Sequence, residues 1–289
     1  MKKNFKSKIS IICVVCLLMC MAGGLAAYAA EAEAEETVPM VYEAVPMYIN
    51  GIMVTNGAKV GETTYAPLRE FVEFLGEQTD IAWNEEAQTA TVTCEGLELT
   101  ATVGANYITA NNRCFYLPDG VLIIDGSISA PARELAKIFG VELEWDEESS
   151  SVSICADEPV MIDDGSTFYS EEDLYWLSRL INAESGNQPL DGKLAVGNVV
   201  MNRVADPSCP DTIYGVIFDK RYGVQFSVIE GGIYAEPNEE SVIAAKMCLE
   251  GYNIVPDSIY FVNPDIGVTS WFARTRVFVA SIGEHDFYA

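Results

Sequence analysis

Ala66-Pro67-Leu68-Arg69-Glu70 returns 64 positions later as Ala130-Pro131-Ala132-Arg133-Glu134, and nothing else in the chain constrains its fold as tightly. Gly76 and Gly140 keep that interval. Trp83-Asn84-Glu85-Glu86 returns as Trp145-Asp146-Glu147-Glu148, 62 positions on, because the first copy carries two extra residues after its glycine. A chain that repeats itself at such a period builds one supersecondary unit twice. Each copy predicts the same order of elements. A proline opens a helix, apolar residues follow at helical spacing (Leu68, Phe71, Val72 and Leu75; Ala132, Leu135, Ala136 and Phe139), and the glycine closes it. A strand through the tryptophan comes next. A turn and an alternating strand follow, Thr91-Val92-Thr93 or Ser151-Val152-Ser153, ending at Cys94 or Cys155.

The A-P-x-R-E, glycine and W-[ND] elements, present in both copies across about residues 45–156, resemble the copper amine oxidase N-terminal-like stalk domain. The resemblance implies paired β-β-α-β-β units and a spacer or adhesion module of exported Gram-positive proteins, with a cell-wall or protein ligand of its own. It implies no copper, because residues 31–156 contain no histidine. Trp83 and Trp145 are expected to pack, with exposed sugar-stacking platforms as the alternative.

Lys2, Lys3, Lys6 and Lys8 precede an apolar run from Ile9 to Leu25, and Ala27-Tyr28-Ala29 has the small-x-small form of a cleavage site. Residues 1–29 therefore read as a signal peptide, with an uncleaved membrane anchor as the alternative, and 30–44 as an acidic leader. The expected localisation is secreted, extracellular and associated with the cell wall. Removing residues 1–29 changes 43 Asp+Glu against 17 Lys+Arg into 43 against 13. Such a surface lacks the basic face that a nucleic-acid partner needs. A single histidine, His285, excludes zinc sites built on two or three of them. Neither a GxGxxG run nor a GxxxxGK[ST] loop is present, which argues against nucleotide chemistry. No cofactor and no metal is expected. Cys94, Cys114, Cys155, Cys209 and Cys248 remain after the leader at spacings that fit no metal motif. They read as mostly buried small apolar residues, with one or two disulfides open to them.

Residues 157–169 read as a linker of Pro, Gly and acids. Ser170 then caps a helix whose first turn holds Glu171, Glu172 and Asp173. Leu174, Leu177 and Ile181 set an apolar face at i, i+3, i+7, and Glu184 lies on that face in the last turn, before Ser185-Gly186. Apolar surroundings and the negative helix end both disfavour its ionised form, which raises its pKa toward the range a general acid needs. The plainer reading of such a residue is a solvated helix end or half of a salt bridge. The next helix, Leu194 to Val204, is apolar nearly all round and reads as central. Asn198 and Asn202, four apart on one of its faces, are either satisfied core amides or cleft-lining groups.

Eight pieces then occur in order across residues 170–289: Ala183-Glu184-Ser185, Gly192 to Val196, Met201-Asn202-Arg203-Val204, Thr212 to Ile217, Gln225-Phe226-Ser227, Ala244-Ala245, Tyr260 to Pro264, and Ile282 to Tyr288. Together they resemble the cell-wall hydrolase family of spore cortex-lytic enzymes (SleB/CwlJ type). The resemblance implies an α+β chain: the two-unit β-β-α-β-β stalk domain at 45–156, then a lysozyme-like α+β catalytic domain at 170–289. It implies peptidoglycan glycan strands as substrate, cut between N-acetylmuramic acid and N-acetylglucosamine by lytic transglycosylation, with Glu184 as the acid and base. Asn202, Gln225, Ser227, Tyr260, Asn263 and His285 become candidates for holding the sugars. Gln188 and Lys193 depart from the family pattern, which commonly has Glu and Gln there, and both fall near the expected cleft. A Lys193–Glu184 pair would lower the pKa of the acid. Tyr214, Tyr222, Tyr234 and Phe226 read either as core or as a sugar-stacking wall. A non-catalytic glycan-binding or adhesion protein is the alternative from another class.

Overall fold

The computed structural model describes residues 41–75, 78–156, 161–221, 225–266 and 274–289. The expected signal peptide, residues 30–40 of the acidic leader, Gly76 and Tyr222 lie outside the described residues.

The repeat folds as two interlocked units. In the first, β1 (Glu43–Ile49), β2 (Ile52–Val60) and β3 (Thr63–Pro67) lead into α1 (Leu68–Leu75), β4 (Asp80–Asn84) and β5 (Thr89–Cys94). Strands β6 (Leu97–Thr102), β7 (Tyr107–Ala110), β8 (Arg113–Tyr116), β9 (Leu122–Ile124) and β10 (Ser127–Pro131) follow, then α2 (Ala132–Ile138), β11 (Glu142–Asp146) and β12 (Ser151–Cys155). One sheet runs β11-β12-β1-β2-β3-β10-β9 and a second runs β4-β5-β6-β7-β8. The pairing of β3 with β10 is antiparallel and sets Ala66 opposite Ala130. Equivalent residues of the two copies therefore face each other, which generates a local two-fold relation between the units.

The helices follow their apolar spacing: Leu68, Phe71, Val72 and Leu75 are buried, as are Ala132, Leu135, Ala136 and Phe139. Both start one residue later than predicted. Pro131 combines φ −53° with an extended ψ of 122°, so the proline ends its strand before the helix turns. Gly140, at φ 61°, closes α2 as expected, with the Val141 amide donating to the Ala136 carbonyl at 2.9 Å. The tryptophans overturn the packing expectation. Trp83 and Trp145 are 41% and 40% exposed, because β4 and β11 are edge strands with one side uncovered.

The described end of the expected linker, 161–169, is bound rather than free. Met161 and Ile162 pack on the core of the repeat, Asn111 Nδ2 donates to the Ile162 carbonyl at 2.9 Å, and the single turn α3 (Gly165–Phe168) is capped by Asp164. Beyond it come α4 (Glu171–Ser185), α5 (Leu190–Ala205), α6 (Ile213–Ile217) and α7 (Glu239–Leu249), and a small antiparallel sheet. That sheet orders β13 (Tyr260–Val262), β15 (His285–Tyr288) and β14 (Phe278–Ile282), with β15 in the middle. Residues 41–289 form one compact unit. Cys114 and Tyr116 of the repeat share an apolar cluster with Ile181, Met247 and Cys248. Beside it, Arg113 donates from Nε and Nη2 to the two carboxylate oxygens of Glu250, each at 2.7 Å, and Tyr169 donates to the same carboxylate at 2.6 Å. Among the described residues no disulfide is found, and Cys94, Cys114 and Cys248 are buried as expected. Among the described residues no helix is long and apolar enough to cross a membrane.

Candidate active site

Helix α4 starts where the sequence places it. The Ser170 hydroxyl accepts from the Asp173 amide at 3.3 Å, and the acids of the first turn face the positive end of the helix dipole. Leu177 and Ile181 are fully buried and hold the helix against α5 and α7. The same face continues to Glu184, which is half-buried one residue before the helix ends. Burial pushes its carboxyl up to about 7, and the guanidinium of Arg203 pulls it partly back. The carboxyl thus holds a proton near neutrality while keeping a route to solvent.

Arg203 is the residue that sequence reasoning missed. It sits near the end of α5, only 8% exposed, and donates from Nε to the Ile259 carbonyl at 2.7 Å. Its Nη1 is buried without a partner among the described residues. The guanidinium carbon lies 5.1 Å from the Phe226 ring centre and 5.7 Å from that of Tyr260. Burial lowers its pKa, and Glu184 and Asp219 are among the groups that support its charge. A cleft of about 470 Å³ opens beside it, lined also by Asp219, Gln225 and Tyr260. The available signal was a cation in Met201-Asn202-Arg203-Val204, on a helix otherwise expected to be apolar.

The structure brings Gln225 and Tyr260 to this cleft and sends other candidates elsewhere. Asn202 is part-buried and its amide is engaged within the protein: Nδ2 donates to the carbonyls of Val255 (3.0 Å) and Ser258 (2.8 Å), and Oδ1 accepts from Asn253. Asn198 is buried, and its amide is engaged in the same way by the Tyr252 carbonyl and the Ile254 amide. Lys193 is buried and pairs with Glu240 at 2.7 Å and with the Gln188 carbonyl, rather than with Glu184. Gln188 is buried too, and its Oε1 accepts the Glu284 amide at 2.9 Å. The two departures from the family pattern therefore brace α5 against α7 and against the β14–β15 turn. Their side chains are engaged within the protein. His285 is buried edge-on against Phe261, with Nδ1 unpartnered among the described residues, and burial lowers its pKa. Ser227 is exposed at the start of a 3₁₀ turn, and Asn263 accepts the Asp265 amide just after β13. Of the aromatic residues, Phe226 is core. Tyr214 and Tyr234 are exposed around Trp176, at centroid distances of 5.5 and 6.2 Å. Among the described residues, no group of three or more His, Cys, Asp or Glu is placed to hold a metal ion.

Residues 187–288 match the family described as Cell Wall Hydrolase, and residues 48–154 match the Copper amine oxidase N-terminal domain. The chain carries a cell wall hydrolase domain. Its doubled N-terminal module is the copper amine oxidase N-terminal type, as the repeat implied. Glu184 lies just ahead of the matched part of the hydrolase domain. The spore cortex-lytic enzyme of Bacillus cereus is 34% identical over 119 residues, covering 41% of this chain and 45% of the relative. That of Oceanobacillus iheyensis is 32% identical over 119 residues, covering 41% and 42%. The chain thus spans less than half the length of these curated relatives. The catalytic domain of the germination-specific lytic transglycosylase SleB from Bacillus anthracis is 33% identical, with 44% of this chain and 100% of that one covered, at a TM-score of 0.38.

Proposed function

We propose that this chain is an exported enzyme that cleaves peptidoglycan glycan strands between N-acetylmuramic acid and N-acetylglucosamine, with Glu184 as acid and then base. The observation that carries the reading is a carboxyl pushed up to about 7 by burial, coupled to the Arg203 guanidinium that lines a cleft, just ahead of the matched cell wall hydrolase segment. The names of the curated relatives, spore cortex-lytic enzymes, support the substrate class. In the first step neutral Glu184 gives its proton to the glycosidic oxygen as the C1–O bond breaks, so the leaving N-acetylglucosamine departs as an alcohol. The 6-hydroxyl of the muramoyl residue then bonds to C1, and its proton returns to the Glu184 carboxylate. Atoms balance without water, and no second carboxylate is required as nucleophile. The charge acting on Glu184 is a cation, Arg203, which suits this scheme. The unpartnered Nη1 of Arg203 is a donor for a sugar acetamido or hydroxyl oxygen, and Gln225 and Tyr260 line the same cleft. Export is proposed from the lysine-flanked apolar leader and its small-residue end.

The test is mass spectrometry of fragments released from purified peptidoglycan by this protein and by Glu184→Gln. Anhydromuramoyl ends that disappear with the variant are the expected result. Reducing muramic ends would replace the 6-hydroxyl by water as acceptor. Undegraded peptidoglycan in the presence of folded protein would overturn the proposal.

A further inference from the structure

The exposed tryptophans of the doubled module each lie in a groove, and the two grooves are the same groove built twice. The first takes Arg69, Glu70 and Trp83 from the helix and strand of the first unit, and Ile123, Ser127 and Ile128 from the hairpin of the second. The other takes Arg133, Glu134 and Trp145 from the second unit, and Lys59, Thr63 and Thr64 from the hairpin of the first. Every one of these residues has its counterpart at the repeat interval. The pairing of Ala66 with Ala130 explains the exchange: the local two-fold relation brings the hairpin of each unit against the helix of the other. The grooves have similar volumes, about 340 and 400 Å³.

Their chemistry is that of a sugar site. An indole about 40% exposed on an edge strand offers a flat apolar face with a polar rim. The Trp83 indole N–H is fixed by Glu85 Oε2 at 2.6 Å, so its ring is held in orientation. Beside that ring, Glu70 Oε2 is buried and accepts no hydrogen bond among the described residues. A buried acceptor left open is costly unless a donor reaches it. The other copy shows which donor fits: the equivalent Glu134 Oε2 accepts the hydroxyl of Tyr252. The open carboxylate therefore asks for a hydroxyl, presented next to a surface that stacks on the indole. A pyranose supplies both, with C–H groups on its face and hydroxyls at its rim. The chain's net charge of −26 disfavours a polyanion in these grooves and leaves an uncharged saccharide as the occupant.

We infer that the doubled module carries two pseudo-equivalent saccharide-binding grooves, centred on Trp83 with Glu70 and on Trp145, that hold uncharged β-linked amino-sugar chains independently of the Glu184 cleft. That the occupant is an amino-sugar chain rests on the proposed function, whereas the grooves themselves rest on the module alone, and binding there is separable from cleavage at Glu184. A repeated ligand suits a repeated site, because engaging both grooves on one insoluble polymer multiplies affinity without new contacts.

The full chain carrying Glu184→Gln, which leaves the ligand intact, is titrated with an N-acetylglucosamine hexamer while the indole N–H resonances are followed by nuclear magnetic resonance. Assignment uses single tryptophan variants, since the chain has four tryptophans. The signals of Trp83 and Trp145 are expected to move. Trp83→Ala and Trp145→Ala are each expected to weaken sedimentation with purified peptidoglycan about tenfold, Trp→Tyr at either position far less, and the double alanine variant to abolish the module's share. Unchanged circular dichroism and urea midpoints establish that the variants are folded. The inference is overturned if the Trp83 and Trp145 signals stay still while that of Trp176 moves, or if the folded double variant sediments like its parent. Fragment release by the double variant with Glu184 intact reports separately on the proposed activity.

Discussion

Glu184→Gln is expected to make the protein more stable, and increasingly so as pH rises. The carboxyl goes from 4.5 to about 7 on folding, chiefly because burial disfavours its charge. In the pH range between those values the folded state holds a proton that the unfolded state has released, so stability falls as pH rises. At about 1.36 kcal/mol per pH unit the full cost is about 3 kcal/mol, complete once pH exceeds the folded value. Glutamine has nearly the same shape and no such cost. The gap between variant and wild type should therefore be small under acid conditions and reach about 3 kcal/mol above neutrality. A chain with 43 Asp+Glu against 17 Lys+Arg loses its net charge in acid, so the assay is best kept above about pH 5.5 to preserve solubility. Between about pH 5.5 and about pH 8.5 the same linkage relation leaves about 2 kcal/mol of widening to be seen. Urea unfolding of both proteins at matched pH isolates this one group, because every other titration is common to them. A gap that stays constant with pH would refute the argument. A gap that shrinks as pH rises would reverse it, making Glu184 a carboxylate stabilised by Arg203.

Two further predictions use the neighbouring charges. If the Arg203 guanidinium holds the Glu184 carboxyl down, Arg203→Met raises that pKa further. The alkaline fall in peptidoglycan cleavage, centred near neutrality for the parent, should then move to higher pH in the pH–rate profile; an unmoved or lowered limb would contradict it. Arg113→Met leaves the Glu250 carboxylate, 1% exposed, with Tyr169 and a more distant Lys137 at 3.9 Å as its partners among the described residues. Loss of a buried partner of this kind costs about 3–5 kcal/mol, read as a lowered urea midpoint, and a loss under about 1 kcal/mol would show that the pair is not effectively buried.

The sequence is most informative where structure follows from local spacing. The two A-P-x-R-E helices, the closing glycine at Gly140, the strands through both tryptophans and the Ser170 cap all lie within a residue of their expected places, because each depends on neighbours a few positions away. The position of Glu184 on the buried face of α4 is legible for the same reason. What the spacing omits is the environment on the other side of each face. Trp83 and Trp145 look like core residues by composition, yet edge strands leave them half-uncovered, and strand order is a property of the whole sheet. The repeat interval states that two units exist, but their interlocking appears only in the register of β3 on β10.

The polar residues show the same division more sharply. Asn198, Asn202, Gln188 and Lys193 are all chemically able to meet a sugar, and each is instead engaged by a backbone group or an acid far along the chain. Their partners at Tyr252, Ser258, Glu284 and Glu240 carry no motif that ties them to these donors and acceptors. Arg203 differs from them in one respect that matters for function. It is as buried as they are, but one nitrogen remains without a partner beside a cleft that also holds Gln225 and Tyr260. A fold that engages these four polar side chains and leaves the Arg203 nitrogen open, within electrostatic reach of a carboxyl raised to about 7, presents a donor where a ligand in the cleft can meet it.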